Sequence, residues 1–336
     1  MGERQEPEGQ PGEPSGEVAG TRPGGRRRFP LRTVAGLIPA LLVAGWISGH
    51  WSLIAAGGHD LLGARRGWLL AALAATGLGW VANAFARQGT VIEPLPGARL
   101  LATQFAATAA GQLAPAGIGA SAVNLRFLRT QGLPLVRSSA ALALYSLAES
   151  VGRVALLLVL LLAFPHALHL RGLLPDRTAL LISAAALAVA VCAGVVVLVC
   201  VRRLRAAVTT FVAAALTDAR TLHGRPSRVL ALWGGSLAFP ALQAAGLAAV
   251  TLALDMPVPA THAALAYLAA TCLATMVPTP GGLGSVDAAL TFALVAAGSS
   301  TATAASAVLG FRIITVWLPL VPAALTLGAL VRRRVL

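Results

Sequence analysis

Uninterrupted apolar stretches of about 20 residues recur along this chain, and a helix needs that length to cross roughly 30 Å of hydrocarbon. Six stretches read as full spans: Thr33 to Ile54, Trp68 to Phe85, Ser139 to Phe164, Thr178 to Val201, Val229 to Leu254 and Thr303 to Val331. The last is long enough to tilt or kink, and it contains Pro319 and Pro322. Hydrophobic residues make up 57% of the chain with 35 glycines besides, and mean hydropathy is +0.78. Soluble domains average about 45–50% by the count that includes glycine. A soluble globular fold is excluded, and the fold class is an all-α polytopic membrane protein.

The formal charge of +14 invites a nucleic-acid reading. The arginines, however, sit in clusters at the ends of apolar segments and form no stripe between aromatic platforms, so no nucleic-acid partner is expected. Residues 1–32 hold almost no large apolar side chain and read as a disordered basic cytoplasmic tail ending in Arg26, Arg27, Arg28 and Arg32. Residues 33–336 form the transmembrane domain. Its first apolar run lasts about 20 residues without a small-residue cleavage site, so it reads as a retained helix and not a signal peptide. Cys192, Cys200 and Cys272 lie inside apolar segments without CxxC spacing, and His166 and His169 lack a third ligand. No metal and no cofactor is expected.

Two apolar regions, about 100–128 and 259–297, are broken in the middle, by APAGIG at Ala114 to Gly119 and by VPTPGGLG at Val277 to Gly284. Proline removes an amide donor and glycine loses the most entropy in a helix, so neither block continues a regular helix. In lipid the freed backbone groups must be met by protein or water, which places such breaks in an interior or a wet cavity. If both regions re-enter from one side, the inner face receives the N-terminal cluster, Arg87, Arg99, Arg126, Arg129, Arg137, the six arginines between Val201 and Val229, and Arg332 to Arg334. The outer face then keeps only Arg65, Arg66, Arg171 and Arg177. The positive-inside rule therefore predicts six spans plus two re-entrant hairpins in an inverted arrangement, in the inner or plasma membrane, with both termini cytoplasmic.

The two breakers match each other: APAGIGASAVNL falls on TPGGLGSVDAAL, with Pro115 opposite Pro280 and Gly117 opposite Gly282. Paired Gly/Pro-interrupted segments in inverted halves point to a transporter's midplane binding site, where half-helix ends face the substrate. Close helix packing through small residues is the alternative reading. The candidate lipid or substrate site accordingly includes Pro115, Gly117, Gly119, Asn124 and Arg126 from the first region. From the second it includes Pro278, Pro280, Gly281, Gly282 and Gly284.

The block PTPGGLGSVDAAL, the earlier GQLAPAGIGASAVNLRFLRTQGLP and the closing GFRIITVWLPLVP resemble the lysylphosphatidylglycerol synthase transmembrane family, also called flippase-like domain proteins. The resemblance runs from about residue 33 to the end, and it implies the moving or handling of lipids between leaflets. It departs from the family pattern in one place. The family commonly has a Glu soon after each Gly block, whereas here Asp287 takes that place in the second and the first offers only Ala120 and Ser121. The likeness is to the membrane half of the synthases, so aminoacyl transfer is not expected.

Ionisable groups inside apolar segments cost about 2.5–3.5 kcal/mol each on insertion scales and are functional candidates by default. Four stand out, Glu149, Arg153, Asp287 and Arg312. Glu149 and Arg153 are four apart and share a helix face, as a self-neutralising pair or as a donor fork for a lipid phosphate. Asp287 is placed to cap the second half-helix or to serve the substrate, with Arg312 as its partner across helices. Gln104, Gln112, Ser121 and Asn124 recur at spacings that suit a common cavity, and Thr275 and Thr279 do so at the second break; Gln243 reads as satisfying the carbonyl freed by Pro240. The expected function is translocation or handling of an anionic phospholipid or lipid-linked headgroup, by a chain that is not an enzyme. The alternatives are a non-transporting regulatory or assembly subunit with a partner in envelope-lipid biosynthesis, or a membrane enzyme acting on lipid phosphates.

Overall fold

The computed structural model describes residues 61–113, 118–164, 224–274 and 284–332, with isolated positions at 45, 48, 49, 217, 220 and 221. The first sequence span apart from those positions, the fourth span, residues 1–32, and the breaker residues Pro115, Gly117, Pro278, Pro280, Gly281 and Gly282 lie outside the described residues. Those described are helical and contain no strand.

Eight helices follow in order: α1 (Arg66–Gln88), α2 (Gly97–Leu113), α3 (Ile118–Thr130), α4 (Leu135–Ala163), α5 (Pro226–Ala253), α6 (Ala260–Ala274), α7 (Ser285–Ala296) and α8 (Thr301–Leu330). Only α1, α4, α5 and α8 are long and apolar enough to cross a membrane, and they match four of the six spans read from sequence. At 1.5 Å per residue, even the 17-residue α2 reaches only about 25 Å. Helix is described up to Leu113 and Ala274 and again from Ile118 and Ser285, with the residues between them outside the description. Ile118 and Gly119, read as the end of the first breaker, belong to α3. Gly284, preceding α7, has φ of 85°, a conformation that leaves glycine as the natural residue there.

Among the described residues the order is therefore long helix, short pair, long helix, twice over. The two leading helices, α1 and α5, pack along their length and run antiparallel. At one end Arg65, just before α1, pairs with Asp255, just after α5, at 2.7 Å. At the other, Arg228 in the first turn of α5 donates to the Gln88 and Ile92 carbonyls at 3.0 and 2.8 Å, closing the end of α1. Small residues permit the close approach. A Cβ on Gly235 would lie 2.5 Å from the Ala82 carbonyl oxygen, and one on Gly152 of α4 would lie 2.8 Å from the Ser236 carbonyl oxygen.

Each short pair folds back on itself. Leu95 and Leu100 at the start of the first pair share a core with Phe127 and Leu128 at its end; Met256, Val258 and Ala263 share another with Leu290 and Leu294. Each trailing helix packs on the other unit's pair, α8 on α2 and α4 on α6. A π turn at Ile313–Trp317 interrupts α8, with the Leu318 amide reaching back to Ile313, and it falls directly before Pro319, which has no amide to give to the regular ladder. α4 is the most peripheral span, only 11% of its apolar window being buried. Leu147, Val151, Val154, Leu158 and Leu162 form its exposed stripe. Hydrocarbon, and not water, suits that surface.

Candidate functional site

Between the two short pairs lies a cavity of about 330 Å³, within the usual small-molecule range. Every described helix except α4 contributes to its wall. The breaks flank it: Gly111, Gln112 and Ala120 come from either side of the first, and Thr271 and Val286 from either side of the second. α1 contributes Trp80, Asn83 and Arg87, whose spacing of three and four places them on one helix face. α5 brings Phe239 and Gln243, and α8 brings Phe311, Arg312 and Thr315.

Two arginines, Arg87 and Arg312, line this wall, and among the described residues lining it there is no carboxylate. The balancing acids stand behind. Arg312, buried in α8, donates through Nε to Asp287 Oδ1 at 2.5 Å. The other carboxylate oxygen of Asp287 accepts the Gly284 amide at 3.2 Å. The cap and the interhelical partner read from sequence are thus both present on one side chain. Because α7 begins at a Gly-Pro break, its first turn has amides without helical partners, and a carboxylate at that turn is favoured.

Arg87 sits with its guanidinium carbon 4.0 Å from the centre of the Tyr145 ring on α4, a cation–π contact. Glu149 lies one helical turn from Tyr145 on the same helix and accepts from Arg153 Nη2 at 2.5 Å. Arg87, Tyr145, Glu149 and Arg153 therefore form one chain of contacts that meets the cavity only through Arg87. The i,i+4 pair expected from sequence is present, but it stands behind the wall. Among the described residues of the two clusters there are three arginines, Arg87, Arg153 and Arg312, and two carboxylates, Glu149 and Asp287.

The remaining candidates divide. Asn124 is buried on α3, accepting from Gln104 Nε2 at 3.2 Å and donating to the Ala120 carbonyl at 2.8 Å. It ties α2 to α3, and Gln104, its partner, is the residue that lines the cavity. Arg126 is exposed on the outer side of α3 and does not line the cavity. Gly119 opens α3, and Ser121 is exposed.

The amino-acid sequence matches the model of the lysylphosphatidylglycerol synthase TM region over residues 34–323. The chain belongs to that family. No curated protein matches the chain at a significant level. Membership in the lysylphosphatidylglycerol synthase TM-region family, with helices long and apolar enough to span, makes this a multi-pass membrane protein of a lipid-related family.

Within this family member the sequence reading left Arg87 among the topology arginines and passed over Trp80, Asn83, Tyr145 and Tyr267. Trp80, Asn83 and Arg87 carry a signal that was open to reading, a polar face at i, i+3, i+7 on an otherwise apolar span. Gln243 had been assigned to the carbonyl freed by Pro240; instead it lines the cavity with its Oε1 buried and without a partner.

Proposed function

We propose that this protein moves an anionic lipid between leaflets, with the headgroup in the cavity between the two short helix pairs and the acyl tails left in the bilayer. The observation that carries this reading is a polar cavity walled by Arg87 and Arg312, with no carboxylate among its described lining residues, inside a molecule whose outer face is apolar. Guanidinium forks match phosphate oxygens in geometry and charge. Family membership supports a lipid as the substrate class, while the identity of the lipid is a matter for the site and not the fold.

In this reading the two pairs are re-entrant hairpins of an inverted repeat, a view supported by the antiparallel course of α1 and α5. The first enters from the cytoplasmic side and the second from outside, in an inner or plasma membrane with both termini cytoplasmic. The chain acts without chemistry of its own; no described side chain at the wall pairs a nucleophile with a base. The GxxxxGK[ST] loop that would cradle a nucleotide does not occur in the sequence.

Leaflet exchange of fluorescent phosphatidylglycerol and phosphatidylcholine in proteoliposomes, read by dithionite quenching, tests the proposal. Exchange of phosphatidylglycerol above that of empty liposomes, falling about tenfold in Arg87→Gln, supports it. Folded protein that exchanges neither lipid overturns it and leaves the regulatory-subunit reading.

A further inference from the structure

Resting on that reading, we infer that Arg153 is a positioning residue: by holding Glu149 on α4 it keeps that carboxylate from closing on Arg87, and so leaves the Arg87 guanidinium open to the cavity. The inference comes from the different ways in which the two wall arginines are held. Arg312 donates to Asp287. Arg87 has no such carboxylate among the described residues; its contact is the ring of Tyr145, and its Nε is buried without a partner. A ring face attracts a cation without accepting its N–H groups, which lie in the guanidinium plane. Tyr145 therefore steadies Arg87 and leaves its donors unused.

A carboxylate that could use those donors is close by. Glu149 follows Tyr145 by four residues, so the two share one face of α4, and the charge of Glu149 acts on Arg87. The carboxylate is taken instead by Arg153 Nη2 at 2.5 Å. The Glu149 and Arg153 side chains are only 19% and 18% exposed, a setting in which an ionised carboxylate needs a partner. With Arg153 gone, Arg87 is the cation left beside it, since Arg312 already serves Asp287. A two-pronged Arg87–Glu149 pair would fill the fork that a phosphate needs.

Arg153 does not line the cavity, nor does any other described residue of α4. It can influence a bound headgroup only through Glu149 and Arg87. What matters is therefore where Glu149 is neutralised: within α4, and not across to α1.

Leaflet exchange of fluorescent phosphatidylglycerol in proteoliposomes is compared for wild type, Arg153→Gln and the double variant Arg153→Gln/Glu149→Gln. Arg153→Gln should slow exchange at least about tenfold, and removing Glu149 as well should bring it back to within about threefold of wild type. A purely structural Arg153 gives no such rescue, because the double variant lacks the same side chain. Unchanged exchange in folded Arg153→Gln, or a loss that Glu149→Gln does not reverse, overturns the inference. If Arg153→Gln alone does not fold, the double variant, which removes the charge pair as a unit, decides by itself: retained exchange supports the inference, and lost exchange in folded protein overturns it.

Thermal melts of the detergent-solubilised full chain supply a readout without lipid movement. In a double-mutant cycle, the coupling between Arg87→Gln and Glu149→Gln should be larger by at least about 2 °C in the Arg153→Gln background than in the wild-type background. Equal coupling in both overturns the inference. Raised coupling with no exchange in any variant, wild type included, keeps the inference about Arg153 and removes transport. Exchange by wild type with equal coupling keeps transport and removes the role of Arg153.

Discussion

Asp287 holds two bonds whose contributions one substitution can separate. Asparagine caps a helix about as well as aspartate, so Asp287→Asn retains the bond to the Gly284 amide and deletes the negative charge facing Arg312. Arg312, which is buried, then loses the carboxylate it donates to, and breaking such a pair typically costs about 3–5 kcal/mol. Losing a cap alone costs about 1 kcal/mol. Asp287→Asn is therefore expected to lower thermal stability nearly as much as Asp287→Ala, measured on detergent-solubilised protein by the loss of monodisperse material on heating. A melting temperature unchanged in Asp287→Asn would show that the ion pair contributes little and that the cap is the whole role of the residue. Arg87 behaves differently, because its contact is with the face of Tyr145 and its charge is near Glu149. Arg87→Lys keeps the charge but loses the planar fork. It should retain a preference for phosphatidylglycerol over phosphatidylcholine with a slower rate, whereas Arg87→Gln should lose the preference itself.

At the scale of elements, the packing of α5 against α1 and α4 depends on backbone meeting backbone. A methyl group at Gly152 would sit 2.8 Å from the Ser236 carbonyl oxygen and 3.2 Å from its carbon, and neither atom can rotate away. Gly152→Ala is expected to cost about 1–3 kcal/mol, as overpacking does. Gly67→Ala, in the first turn of α1 with nothing within 4 Å, should be neutral or gain up to about 1 kcal/mol from helix propensity. Thermal melts of the two variants side by side check both; equal effects would mean that the close approach of α4 to α5 is not sustained in solution. The helices themselves were readable from sequence because their causes are local. Apolar length gives α1, α4, α5 and α8, and the Pro/Gly blocks give the two breaks. Arg87 was not readable in the same way. At the end of an apolar run an arginine looks like a headgroup anchor, and only the antiparallel pairing of α1 with α5, a contact about 150 residues apart, turns its face inward. The same distance effect hid Gln243, for which a local partner at Pro240 was the nearest explanation.

The whole molecule combines two arrangements that make a joint prediction. The two helices of the first pair run back along each other, with Gly111 against Ala120 and Gln104 bonded to Asn124, and α6 packs on α7 in the second. The leading helices α1 and α5 are antiparallel, so α1 delivers the chain to its pair at one end of the molecule and α5 delivers it to the other. Cysteines placed at Gly97 and Arg129, exposed at the two ends of the first pair, should therefore label together from one side of the membrane with an impermeant thiol reagent. Cysteines at Pro257 and Ser300, exposed at the ends of the second, should label together from the opposite side. The background for this experiment replaces Cys192, Cys200 and Cys272 by serine or alanine. Labelling of Gly97 and Arg129 from opposite sides would make the first pair a broken span; labelling of all four from one side would end the inverted arrangement. Both pairs line the cavity, through Gln112 and Ala120 of the first and Thr271 and Val286 of the second, so opposite-sided labelling would mean that each pair approaches the proposed headgroup site from a different leaflet. In the proposed function that geometry lets a lipid headgroup exchange sides through one cavity lined from both pairs, with Arg87 and Arg312 in its wall. If the pairs enter from one side only, the cavity serves a single leaflet, and holding a lipid rather than moving it becomes its function.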